Sequence, residues 1–282
     1  MNTLNLNTEL NDSQQVHLHV QDTKGTGRPI VLIHGWPLSG ASWKLQVLAL
    51  QKQGYRVIAY DRRGFGHSDK PKTGYDYDVL AEDLNALILS LDLHDLTLVG
   101  FSMGGGEVAR YISKYGESRI HSVVFASSVT PMLLNTLDNP EGPLLEPIAI
   151  KMANQLSADP EAFYIDFFKK FYSPNADGAV MVTEEELQNS LSLAKLADKI
   201  AAQETLKSFS VTDFRKDLTH ISVPTLVIHG DADGIVNFKG SADRTHKTIN
   251  HREFHLIKGG PHGINVSHAD EFNNVLLAFL SK

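Results

Sequence analysis

Leu96-Thr97-Leu98-Val99-Gly100-Phe101-Ser102-Met103-Gly104-Gly105-Gly106 is the stretch on which the reading of the whole chain turns. A short strand-forming run leads straight into Gly-x-Ser-x-Gly and then into a helix expected over about Gly104–Lys114, the strand–turn–helix setting that a nucleophilic serine requires. A serine at so sharp a turn adopts a strained backbone, its glycine neighbours remove Cβ atoms that would clash, and its hydroxyl is left exposed. Gly105 and Gly106 let the helix pack closely, with its first amides facing charge that develops near Ser102. The bland alternative is a glycine-rich structural turn with an incidental serine. The rest of the chain decides between the two.

Outward from this motif, short apolar runs alternate with amphipathic helical stretches. Strands are expected at Ile30–Ile33, Tyr55–Tyr60, Ser122–Ala126, Pro224–His229 and Glu253–Ile257, and helices at Ala41–Lys52, Val79–Leu91 and Ala269–Leu280. Gln15–Gln21 alternates in polarity and turns through Gly25–Pro29, which suggests a hairpin feeding the first buried strand. Such alternation predicts an α/β fold with a mostly parallel central sheet flanked by helices. Between Thr130 and about Ile221 no convincing strand occurs, and prolines punctuate helical stretches at Ala162–Phe171, at Glu184–Ala202 and around Phe209. The expected organisation is an α/β core from residues 1–129 and 222–282, interrupted by a helical cap at 130–221.

With 282 residues, 42% of them hydrophobic, the chain should bury roughly three quarters of the surface it exposes when unfolded, enough for one large core. The absence of cysteine excludes disulfides, a thiol nucleophile and Cys-ligated zinc or iron–sulfur clusters. A net charge of -7 without long runs of either sign argues against a nucleic-acid surface. Met1–Glu9 has neither a basic region nor an unbroken apolar run, so it does not read as a secretory signal, and no stretch approaches the roughly 20 apolar residues needed to span a bilayer. A cytoplasmic location is expected, with no membrane partner.

A hydrolytic serine needs a base, and the base an orienting acid. The strand ending at His229 runs into Gly230-Asp231-Ala232-Asp233, and the next strand is followed by Gly259-Gly260-Pro261-His262-Gly263. Both loops leave the C-terminal ends of strands, where open α/β sheets place their sites. Ser102, Asp233 and His262 thus follow one another in the order nucleophile, acid, base. Asp231 competes for the acid role, but directly after the strand it is better placed to brace the turn. Among 13 histidines, His34 precedes the nucleophile and is assigned to shaping its turn. His17 and His19 could mimic a metal pair, yet no third ligand stands at a suitable spacing, so no metal is expected.

The oxyanion donors follow from backbone chemistry. One is the amide after the nucleophile, that of Met103, and the other belongs to the loop after the first buried strand. Pro37 has no N–H, which points to Trp36, whose indole would also line an acyl pocket.

Ile33-His34-Gly35-Trp36-Pro37, Tyr60-Asp61-Arg62-Arg63-Gly64-Phe65-Gly66-His67-Ser68, Gly100–Gly106, His229–Asp233 and Pro261-His262-Gly263 together resemble the cofactor-free bacterial haloperoxidases and arylesterases of the α/β-hydrolase superfamily, from about Gly27 to the C-terminus. The resemblance implies a Ser-Asp-His esterase that also transfers acyl groups to hydrogen peroxide, the released peracid oxidising halide, with no metal or haem. It implies the same roles for Ser102, Asp233, His262, Trp36 and Met103. It further implies that Phe167 and Phe171, on an aromatic helix face of the cap, wall the acyl pocket; with Ile235 of the acid loop they are the candidate substrate contacts. An apolar wall of this kind favours small acyl or aryl esters. One departure is that many members carry proline where Asn237 stands.

Other readings are weaker. The loop His34–Gly40 lacks the Gly-x-Gly-x-x-Gly of a dinucleotide-binding dehydrogenase. Dehalogenases and epoxide hydrolases of this fold class use aspartate where Ser102 stands. A lactonase, amidase or hydroxynitrile lyase would share every catalytic residue, and a non-catalytic binding module would share the fold. The expected partners are a small-molecule ester and hydrogen peroxide, with a homo-oligomer left open.

Overall fold

The computed structural model describes residues 2–5 and 16–282. Apart from the strand at Asn2–Asn5, the Met1–Glu9 reading lies outside the described residues, as does Gln15 at the start of the expected hairpin. Eight strands form one sheet: β1 (Asn2–Asn5), β2 (His17–Asp22), β3 (Pro29–Ile33), β4 (Arg56–Tyr60), β5 (Leu96–Phe101), β6 (Ile120–Ala126), β7 (Thr225–Gly230) and β8 (Arg252–Ile257), in the order β1-β2-β4-β3-β5-β6-β7-β8. All pairings from β4 to β8 are parallel, and those of β2 with β1 and with β4 are antiparallel.

The apolar runs explain which strands are central. Every residue of β5 and β7 is buried, as a sheet covered by helices on both faces demands, whereas the edge strand β8 is largely open along its first half. Helices α1 (Lys44–Lys52), α2 (Tyr77–Ser90) and α3 (Met103–Tyr115) lie between the early strands, and α4 (Glu146–Ala158), α5 (Pro160–Phe171), α6 (Glu184–Ala194), α7 (Lys199–Val211) and the short α8 (Arg215–Leu218) fall between β6 and β7. The short α9 (Ala242–Thr248) precedes β8, and α10 (Ile264–Ser267) and α11 (Ala269–Leu280) close the chain. No helix among the described residues is long and apolar enough to cross a membrane.

Two local expectations are corrected. β2 does not form a hairpin with β3: it pairs with β4, and β3 lies on β4's other side. The connecting loop crosses the start of β4, where Thr23 exchanges hydrogen bonds with Val57 and a Cβ on Gly27 would meet the Gly54 carbonyl oxygen at 2.1 Å. The helix expected over Glu184–Ala202 is two helices. Asp198 caps a new one by accepting from the Ile200 and Ala201 amides. Between residues 130 and 221 the described chain is helical, with isolated bridges but no strand.

The register sets out the rest. Ile33 is level with Gly100, Phe101 with Ala126, Ala126 with Ile228, and Gly230 with Ile257. The segments that follow β3, β5, β6, β7 and β8 therefore emerge side by side at one edge of the sheet.

Candidate active site

Ser102 stands alone between β5 and α3, with φ 54° and ψ −117°. This left-handed, non-glycine conformation is held from both sides: the Ser102 amide donates to the Ala126 carbonyl at 2.8 Å, and its carbonyl accepts from the Gly105 and Val129 amides. The glycines make the turn sterically feasible. A Cβ on Gly100 would lie 2.5 Å from the Gly104 carbonyl oxygen, and one on Gly104 equally close to that of Ile33.

His262 reaches Ser102 from the loop after β8, with Nε2 2.9 Å from Oγ, while its Nδ1 lies 2.7 Å from Asp233 Oδ2. All three residues are buried. The imidazole is flanked by Phe101 and Phe171, at ring-centroid distances of 5.3 and 4.8 Å. The acid and base loops are stitched together by the Ala232 amide donating to the Gly260 carbonyl and the Gly259 amide donating to Asp231. Asp231 thus braces the turn, and Asp233 is the carboxylate that meets His262.

Asp233 Oδ1 accepts from the Ile235 and Val236 amides at 2.9 and 2.8 Å, which fixes the carboxylate plane. Burial alone would push its pKa up. The opposing charge of the His262 imidazole, with the His229 ring close by, outweighs that and holds the group well below the usual carboxylate range, so it stays ionised.

Among the described residues, neither the Trp36 nor the Met103 amide donates to another group. The loop carrying Trp36 runs against the nucleophile, since a Cβ on Gly35 would sit 3.0 Å from Ser102 Cβ. A buried polar cluster holds this loop. The Arg62 amide donates to His34 Nε2 at 3.0 Å, Arg62 Nη2 donates to the His34 carbonyl at 2.8 Å, and Arg62 Nε donates to Glu107 of α3, which also accepts from the Tyr60 hydroxyl. Burial and the adjacent Arg62 charge keep His34 well below the ordinary histidine pKa, so its neutral ring has Nε2 free to accept and Nδ1 to donate to the Gly35 carbonyl.

Above Ser102 lies a cavity of about 60 Å³ whose lining includes Trp36, Phe167 and Ile235, together with Val129, Leu133 and Phe209. Phe171 is not part of that lining. It is fully buried on the far side of Phe167, packed against His262 and Phe101. His17 and His19 are set against Asp69 and Asp61 respectively. Among the described residues no group of three or more His, Asp or Glu side chains is placed to hold a metal ion.

Sequence reasoning missed Arg62, Glu107 and His229. The available signal was an ionisable residue inside an otherwise buried segment: Glu107 within Met103–Ala109, and His229 after the apolar run Leu226-Val227-Ile228.

The fold and this edge cluster define a class, and comparison with known proteins agrees: a family model described as the alpha/beta hydrolase fold matches residues 28–269. The chain belongs to the α/β hydrolase fold family. It is similar to a bromoperoxidase from Bacillus anthracis of known crystal structure, with a TM-score of 0.94, 46% identity and complete coverage of both chains. It is 38% identical to the non-heme chloroperoxidase CPO-A1 of Kitasatospora aureofaciens, over 92% of this chain and 94% of that one. It is 34% identical to a bifunctional esterase/perhydrolase of Acinetobacter calcoaceticus, over 94% of this chain and 96% of that one.

Proposed function

We propose that this chain is a serine carboxylic-ester hydrolase of arylesterase type, whose acyl-enzyme on Ser102 is discharged by water or by hydrogen peroxide. The observation that carries the reading is the unbroken hydrogen-bond line from Ser102 Oγ through His262 to Asp233, at 2.9 and 2.7 Å. His262 Nε2 takes the hydroxyl proton as Oγ attacks the ester carbonyl, and the Trp36 and Met103 amides receive the oxyanion. Asp233, kept ionised, stabilises the imidazolium, which then protonates the departing alcohol. Water or peroxide next gives its proton to His262 and attacks the acyl carbon. The bond to Oγ breaks, the proton returns to Ser102, and an acid or a peracid leaves.

The small apolar cavity favours short acyl or aryl esters over charged substrates. The peroxide branch is supported by the likeness to proteins named as non-heme chloroperoxidase and esterase/perhydrolase.

The test compares hydrolysis of an activated aryl ester with peracid formation at matched ester concentration, using Ser102→Ala as control. The variant should lose both activities by several orders of magnitude while keeping its fold, and an organophosphonate should label only the wild type. Near-normal turnover by Ser102→Ala, or an unlabelled wild type as expected of a binding module, would overturn the proposal.

A further inference from the structure

We propose that His229 is a positioning residue of this site: its Nε2–H, fixed by the Val236 carbonyl, sets a second positive edge against the Asp233 oxygen that receives His262, and it tempers how strongly that carboxylate holds the His262 imidazolium. The inference rests on the roles given above to Ser102, Asp233 and His262.

His229 is the penultimate residue of β7, and its side chain is fully buried. Nε2 lies 2.8 Å from the Val236 carbonyl oxygen and 3.0 Å from Asp233 Oδ2. A carbonyl only accepts, so Nε2 carries the proton. Nδ1 is buried without a partner among the described residues, so a second proton there would be an N–H sealed away from any acceptor. The ring is thereby locked as the neutral Nε2–H tautomer.

His229 Nε2–H is held by the Val236 carbonyl and lies 3.0 Å from Asp233 Oδ2, so Oδ2 faces two imidazole nitrogens while Oδ1 accepts from two amides. The partial positive charge of that N–H, 3.0 Å from Oδ2, offsets carboxylate charge that would otherwise act on His262 alone. An apolar residue would suit the strand, as its neighbours Leu226, Val227 and Ile228 show, and a polar ring in that place is costly unless its hydrogen bonds matter.

Other ionisable groups stand apart from the pair. Asp231 on the same loop is exposed and tied to the Gly259 amide. On the other side of the His229 ring is Phe238, at 6.3 Å, then Phe254, and only then His246 of α9.

The test is the pH profile of kcat/KM for the wild type, His229→Leu and His229→Gln, each checked for folding by thermal melting. Without the donor, Asp233 holds the imidazolium more tightly, so the acid limb of His229→Leu should move up by about half a unit to one unit. Its kcat should fall about tenfold as the carboxylate loosens. His229→Gln, whose carboxamide N–H can replace Nε2–H, should restore most of both. An unmoved acid limb in His229→Leu, or an equal shift in both variants, would overturn the role.

Should the leucine variant fail to fold, nitrogen NMR of histidine-labelled wild type decides. A neutral Nε2–H tautomer of His229 is expected, and an Nδ1–H tautomer would refute the proposal. Activity that survives Ser102→Ala would defeat the underlying reading instead, whereas Ser102-dependent activity with an unmoved limb defeats only the role of His229.

Discussion

The indole Nε1 of Trp36 donates to the carbonyl of Ala202 at 3.1 Å, joining residues 166 positions apart in the chain. One belongs to the loop after β3 that presents an unbonded amide beside Ser102, the other to the first turn of α7 in the inserted helices. Phe163, Tyr164, Phe167 and Phe209 surround the same indole edge-on, at centroid distances of 5.2 to 6.1 Å. The placement of the amide proposed to receive the oxyanion is thus coupled to helices that carry none of Ser102, Asp233 and His262.

Replacing Trp36 by Phe keeps an aromatic filling but removes the N–H. Stability should fall by about 1 kcal/mol in chemical denaturation, the usual worth of one such bond. The kcat for an aryl ester should fall by about tenfold with KM little changed, because the loop amide loses its anchor. An unchanged kcat would mean that the loop holds its position without the indole.

Gly104→Ala tests the close approach beneath the elbow. The new methyl would meet the Ile33 carbonyl oxygen at 2.5 Å, and since that oxygen is backbone, α3 must lift away from the sheet. A loss of roughly 1–3 kcal/mol in stability and at least about a hundredfold in turnover is expected. Wild-type activity with an unaltered melting temperature would show that the contact has slack.

Acid sensitivity should trace to His34. The folded protein resists protonating this buried ring beside Arg62, while the unfolded chain takes up the proton near the ordinary value of 6.5. Below that value the unfolded state binds more protons, so stability present above it is lost as the pH falls, by about 1.4 kcal/mol per unit from this one group. Asp233, also held low, adds to the slope only within and below the ordinary carboxylate range. Denaturant titrations from about pH 7.5 to about pH 5 should show a steeper slope for wild type than for His34→Asn. Equal slopes would place the acid sensitivity elsewhere.

Phe167 and Phe171 should separate in their effects. Phe167 borders the cavity, so Phe167→Ala should raise kcat/KM for longer acyl esters relative to acetate. Phe171 packs behind His262, so Phe171→Ala should cost about 3–5 kcal/mol in stability and leave chain-length preference unaltered. Melting curves and a series of ester lengths distinguish them, and a shifted preference in the Phe171 variant would contradict the packing described above.

The central strands were legible because a parallel strand covered on both faces is apolar throughout, and Gly100 and Gly104 announced the elbow because only glycine fits there. The partner of β2 was not legible, since alternation in one strand does not say which neighbour it joins across the sheet. The break between α6 and α7 was visible only as Asp198, a residue that caps helices but also sits within them. Val129, Leu133 and Phe209 came to the cavity through the way the inserted helices settle on the sheet, which no local periodicity encodes. His229 follows the same logic: a lone imidazole in a strand has no meaning until the next loop folds back onto it.

The segments that follow β3, β5, β7 and β8 at one edge of the sheet carry Ser102, Asp233, His262 and both free amides, whereas Pro143, Leu144, Met152, Phe167 and Phe209 of the cavity come from the chain inserted between β6 and β7. Selection can therefore retailor molecular taste by redecorating one contiguous span while the Ser102–His262–Asp233 hydrogen-bond line beneath is inherited intact, provided that each new span still offers the Trp36 indole a carbonyl in the position Ala202 now occupies.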